Sequence, residues 1–141
     1  MTDEEAMAWA TRRTELWNSH DATALAADYA SHGTLHTASA GVAHGRAQIE
    51  AVHRRWFDAF PDLRLEIERP FVQGDRIAIF WTMTGTQEGP FLGVEPTHER
   101  LQWAGAFLCE VFGSEIVYER RLADFTGIFE SAFDPSASST S

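Results

Sequence analysis

The dominant hydrophobic period of this chain changes at Pro61, and that change constrains its fold more than any other feature. Before Pro61, outside one strand-like stretch, the apolar residues return at three-, four- and seven-residue steps, the period of a helix. After it, long stretches of branched and aromatic residues are cut by glycine and proline turns, the mark of strands. Ala6, Trp9, Ala10, Leu16 and Trp17 predict a helix over residues 3–18, and Asp21 is placed to cap a second over 22–30. Residues 32–39, with two threonines and a glycine, suit a strand, and a loop through Gly41 and Gly45 follows. Ile49, Val52, Trp56, Phe57 and Phe60 carry a third helix over 46–60, which Pro61 ends because proline disfavours helical geometry in the residue before it. Residues 63–72, 76–86, 101–112 and 116–124 read as strands of an antiparallel meander, with turns at Gly74-Asp75, Gly89-Pro90, Glu95-Pro96 and Gly113-Ser114. Helices first and strands last imply an α+β fold, the helices on one face of a curved sheet. One domain is expected over residues 1–133, and the tail 134–141 has nothing to bury and is expected to be disordered.

Composition narrows the function classes. With 141 residues, 44% of them hydrophobic, the chain can bury one proper core. Its 21 acids against 11 bases give a net charge of -10, which argues against nucleic acid or an anionic membrane as partner. Every base is arginine, so lysine nucleophiles and Schiff bases are excluded. The acidic start and the lack of a long apolar run make the cytoplasm the expected location. The single Cys109 sits in an apolar run and reads as a packed thiol. His32 and His36 share a strand face about 13 Å apart, too far to chelate one ion, so no metal site is expected. Gly41 and Gly45 lack the lysine and spacing of a phosphate loop. His20, His44 and His53 read as solvated or packed residues.

Strand alternation puts Ile116, Tyr118, Arg120, Leu122 and Asp124 on one face of the last strand and Val117, Glu119, Arg121 and Ala123 on the other. If the first face lines a pocket, desolvation raises the Asp124 carboxyl and makes it a base for an activated carbon acid. The other reading is structural: Asp124 pairs with Arg120 or Arg121, or caps the turn that follows. Most of the aromatics, Phe57, Phe60 and Phe80 among them, need no account beyond core filling. Trp17, Trp56, Trp81 and Trp103 sit on elements that would border a central hollow and are candidates to wall a flat polycyclic ligand, with Tyr118 beside them. Gln87 and Arg120 are candidates to hydrogen-bond a polar substrate group, Arg120 alternatively being the counter-ion of Asp124. His36 either meets a substrate oxygen or is a strand histidine with a backbone partner. A sheet face exposing Trp81 or Val111 would be costly in water, which predicts a homodimer.

Several words of the sequence are more specific. They are Ala59-Phe60-Pro61-Asp62-Leu63, Gly74-Asp75-Arg76, Gly85-Thr86 through Gly89, Phe91 and Gly93 to Pro96-Thr97, and the last strand followed by Gly127-Ile128. In that order, from about Thr11 to Phe133, the chain resembles the SnoaL-like polyketide cyclase family of the NTF2-like superfamily. The resemblance implies a cone of sheet and helices around one deep pocket, and a ring closure of an aromatic polyketide by aldol condensation without cofactor. It implies Asp124 as acid/base, and places His36 where relatives often carry a histidine. Gln87, His98 and Arg120 depart from the residues many relatives have there. Some similar proteins hydroxylate polycyclic substrates with a partner reductase instead, and the same fold also serves as a noncatalytic binding module.

Overall fold

The computed structural model describes residues 1–133, so the expected disordered tail lies outside the described residues. Helix α1, Asp3–Asn18, starts in a capping box: Thr2 accepts from the Glu5 amide and Glu5 accepts from the Thr2 amide, each at 3.1 Å. Helix α2, Ala22–Ala27, is capped by the Asp21 side chain at 3.0 Å from the Ala24 amide. It stops short of the expected end because Tyr29 already belongs to strand β1, Tyr29–Thr37. The expected loop through Gly41 holds a short strand β2, Gly41–His44, which forms a hairpin with β1. Helix α3, Gly45–Ala59, gives way at Phe60 before the proline, as its sequence requires.

Beyond the proline come β3 (Arg64–Ile67), β4 (Phe71–Gln73), β5 (Arg76–Thr86), β6 (Arg100–Phe112) and β7 (Glu115–Asp124), then an unexpected helix α4 (Thr126–Phe133). The single strand expected over 63–72 is two, because Pro70 offers no N–H to a ladder. Strands run in the order β2-β1-β7-β6-β5-β3, with β4 also on β5. The β5-β6-β7 meander is antiparallel as expected, while β1 joins β7 in parallel and makes the sheet mixed. This is the α+β cone that the resemblance implied. Among the described residues, no helix is long and apolar enough to cross a membrane.

The inner sheet face carries Ile77, Ile79, Trp81 and Met83 from β5 and Leu101, Trp103, Phe107, Cys109 and Val111 from β6, all buried. Trp81 and Val111 were expected on an exposed face; the β5 and β6 registers put both inside, and leave Phe80 and Phe112 outside instead. A bulge decides the faces of β7. Pairing with β6 passes from Glu110 opposite Tyr118 to Val111 opposite Ile116, so Val117 is left over and the alternation slips by one. Ile116 is therefore in the core, while Arg120, Leu122 and Asp124 point outward and Glu119 and Arg121 point inward. The face expected to hold Ile116 together with Tyr118, Arg120, Leu122 and Asp124 does not exist as one surface.

Gly105 lets the sheet close over Trp81. A Cβ there would stand 2.6 Å from Cζ2 of Trp81 and 2.9 Å from the Ala123 Cα, with β7 backbone on the other side. Gly105→Ala is expected to destabilise the fold by about 1–3 kcal/mol or more through overpacking, which urea unfolding will measure.

Candidate active site

The inward side of β7 brings two charges into the core. Glu119 and Arg121, two residues apart on one strand, are both buried. Arg121 Nε donates to Glu119 Oε2 at 2.6 Å, and the Tyr29 hydroxyl donates to the other carboxylate oxygen. Arg121 Nη2 lies 3.2 Å from the Tyr29 hydroxyl and 2.7 Å from His53 Nε2. His53 Nδ1 lies 2.8 Å from the Ile49 carbonyl, which can only accept, so Nδ1 carries the proton and Nε2 accepts from the guanidinium. Burial and the Arg121 charge hold His53 well below the usual imidazole range, so the ring is neutral. Burial alone would raise the Glu119 carboxyl, but the Arg121 and Arg13 charges outweigh it and keep the group ionised, below its ordinary value. The guanidinium of Arg121 also sits over the rings of Trp17 and Phe107, at 5.1 and 5.3 Å from their centres.

Arg121 lines a small enclosed cavity of about 10 Å³, together with Trp17, Thr37, Trp56, Trp81, Phe107 and Phe125. Three donors from these walls, Arg121 Nη1, Trp17 Nε1 and Trp81 Nε1, are buried without a partner. Trp56 is also a wall of a second pocket of about 340 Å³, bounded by α3, the turn at Ser39-Ala40 and the loop at Pro90-Phe91. A larger depression, about 550 Å³, lies elsewhere, on the outer sheet face between Phe71, Leu108, Tyr118 and Arg120. None of the donors left unpaired lines it. The interior, where charge is buried and donors are unpaired, is therefore the candidate site. Among the described residues, no group of three or more His, Cys, Asp or Glu side chains is placed to hold a metal ion.

The candidates from sequence divide between these places. Trp17, Trp56 and Trp81 meet at the inner cavity, and Trp103 stands behind it, stacked on Trp56 at 5.6 Å. Gln87 is fully buried but serves its own loop, its amide nitrogen donating to the Gly89 and Val94 carbonyls at 3.2 and 3.0 Å. Tyr118 and Arg120 line the outer groove, and His36 is exposed on β1 opposite Arg120. His98 is exposed and bridges to Glu88 at 2.6 Å. Asp124 is exposed, and one of its oxygens accepts from the Thr126 hydroxyl and amide at 2.5 and 2.9 Å, which lowers its carboxyl below the ordinary value. The premise of a desolvated Asp124 with a raised pKa is thus corrected, and the cause is the slipped alternation at Val117. Tyr29, His53, Glu119 and Arg121, which the sequence does not single out as site residues, are the ones that meet here. The signal for two of them was present, since a glutamate and an arginine two apart on a strand share a face.

The buried histidine gives the molecule an acid-sensitive element. Its folded pKa lies below the unfolded value of about 6.5, so the unfolded chain takes up a proton first as pH falls. The stability is full above the unfolded value and is lost from there toward the folded one. Glu119, lowered in the fold, adds a loss of the same sign at more acid pH. Unfolding free energy is expected to fall by up to ~1.4 kcal/mol per pH unit just below pH ~6.5, and His53→Gln to flatten that part of the profile. Denaturant titrations across pH 5–8 will check it.

A family model of SnoaL-like polyketide cyclase matches residues 8–131. No protein of curated function matches the chain in sequence. Among solved structures, AclR, a proposed hydroxylase from Streptomyces galilaeus, is 23% identical with a TM-score of 0.79, over 91% of this chain and 95% of its own. A proposed SnoaL-like polyketide cyclase from Jannaschia sp. CCS1 is 20% identical with a TM-score of 0.78, over 94% of each chain. A Catenulispora acidiphila protein described as having a ketosteroid isomerase-like fold is 19% identical with a TM-score of 0.76, over 91% of this chain and 94% of its own. These likenesses establish the fold. The match across almost the whole length, on the cone whose geometry is described above, shows that the chain belongs to the SnoaL-like polyketide cyclase family.

Proposed function

We propose that the protein closes a ring of an aromatic polyketide intermediate by intramolecular aldol condensation, in the aromatic hollow between sheet and helices. One observation carries the reading: Trp17, Trp56 and Trp81 converge on a single cavity, and Trp56 alone is shared with the 340 Å³ pocket beside it. The inner cavity has room for about one water, so the reading requires the shared indole of Trp56 to move aside when a planar guest enters. Stacked walls then fold the substrate so that a carbon flanked by carbonyls lies against a second carbonyl of the same molecule. Transfer of the proton from that carbon to a base gives a delocalised enolate. Its attack forms the carbon–carbon bond, the new alkoxide takes a proton back, and loss of a further α-proton with that hydroxyl, as water, completes the condensation. The protein holds the reacting ends together and keeps bulk water out.

A tricyclic quinone carrying a β-dicarbonyl side chain tests this directly. Mass spectrometry is expected to show a product lighter by one water. A product heavier by one oxygen, formed only with a reductant and air, would instead establish the hydroxylation reading, and no change at all the noncatalytic one. Asp124→Asn in the same assay is expected to keep turnover within about threefold, because the carboxylate is exposed and bonded to Thr126. General acid–base catalysts usually contribute about 10²-fold or more, so a loss that large would return the proton transfer to Asp124.

The homodimer is part of the same proposal, by way of a different face. Phe80 and Leu122 stand exposed on the outer sheet surface on either side of Ala106, with Phe71 beside Phe80. An apolar face of this kind is suited to a second copy of itself. Sedimentation at micromolar concentration is expected to show a dimer, and Leu122→Arg a monomer with unchanged folding.

A further inference from the structure

A guanidinium has five N–H groups in a rigid fork, and Arg121 shows where most of them go. Nε is taken by Glu119, and Nη2 by Tyr29 and His53. Both protons of Nη1 are left, on a side chain 5% exposed, in a wall of the inner cavity. A buried charged donor without a protein acceptor is costly unless a water or a ligand oxygen meets it, and the cavity beside Nη1 has room for one such atom. The side chain cannot turn to relieve it. Glu119 and Tyr29 fix one edge, and His53 is itself fixed by the Ile49 carbonyl. Its neighbours repeat the pattern, since Trp17 and Trp81 also present unpaired N–H groups. The hydroxyl of Thr37, on the same wall, is already engaged with Ser39 at 2.8 Å. The unpaired polar atoms of this wall are all donors, and one of them is charged.

We infer that the hollow selects the ionised form of its guest, binding an enolate or phenolate oxygen at Nη1 of Arg121. The substrate class is a planar aromatic whose acidic oxygen ionises near neutral pH. In the ring closure proposed above, on which this inference rests, Arg121 would hold the oxygen on which charge develops. Glu119, Tyr29 and His53 are positioning residues that act through the guanidinium.

The test uses two probes, 9,10-anthraquinone and 2-hydroxyanthraquinone, the second changing colour when its phenol ionises. Both are expected to bind, and the bound phenol to titrate at least one pH unit lower than the free one, an at least tenfold preference for phenolate. Glu119→Gln removes the internal counter-charge and is expected to raise that preference. In Arg121→Met with Glu119→Gln, paired so that no charge is left buried alone, the preference is expected to vanish while anthraquinone still binds. Binding without preference, or preference that survives the double substitution, overturns the role of Arg121 and leaves the aromatic hollow as the site. If neither probe binds, the reading of the hollow falls and this inference with it. If the double variant does not fold, Glu119→Gln carries the test, and a reduced preference there overturns the assignment.

Discussion

The structure turns on a charge pair that the sheet pushes into its own core. One extra residue, Val117, shifts the alternation of β7, and the shift sends Glu119 and Arg121 inward. Around that pair the first half of the chain arranges its polar residues: Tyr29 from the start of β1, His53 from the middle of α3, Trp17 from the end of α1. Buried ion pairs of this kind contribute little net stability, since desolvation offsets most of the attraction, whereas breaking one costs several kcal/mol. The pair therefore acts less as glue than as a constraint. It obliges three elements to meet at one point, and a fold that misplaces any of them leaves a buried charge uncompensated.

Much of the architecture was legible because it depends on periods that local sequence carries. The three early helices follow from their apolar spacing and the Pro61 stop, and β5, β6 and β7 fall within a residue of their expected ends. What could not be read depends on pairing between distant segments. Strand β2 is four residues that count as a strand only because β1 lies beside them, and β1 runs parallel to β7 although eighty residues or so of chain separate the two. The division of residues 63–72 was signalled by Pro70, a cue outweighed by the branched residues around it. Helix α4 has an apolar composition that gives little sign of a free-standing helix; docking against β6 accounts for Ile128 being fully buried.

The site was half legible, and the half that failed shares one cause. Trp17, Trp56 and Trp81 could be placed around a hollow because α1, α3 and β5 keep regular periods that fix their inward faces. Asp124, Arg120 and Tyr118 were placed by the period of β7, which a bulge interrupts, and a bulge is set by the partner strand and not by the bulged residues alone. The same slip hid Arg121 and Glu119. His53 was hidden differently: it lies on the apolar face of α3 with Ile49 and Trp56, where a packed neutral imidazole is the ordinary expectation. Neutral and packed it is, but its free nitrogen is spent on holding a guanidinium.

These placements shift where the chemistry of such a cone should be sought. An aspartate at the end of the last strand is fully explained by structure: it forms an Asx turn with Thr126 that starts α4 and turns Phe125 toward the inner cavity. Arg121 is held by Glu119, Tyr29 and His53, and its Nη1 group is left without a protein acceptor in the wall of the inner cavity. Removing a proton from a carbon acid is eased as much by stabilising the anion as by strengthening the base, because both lower the free energy of the same transfer. A preorganised guanidinium edge in a dry hollow does the first without needing the second. On the role proposed for Arg121, the strength of the base matters less, because the guanidinium acidifies the carbon acid from the side of the anion.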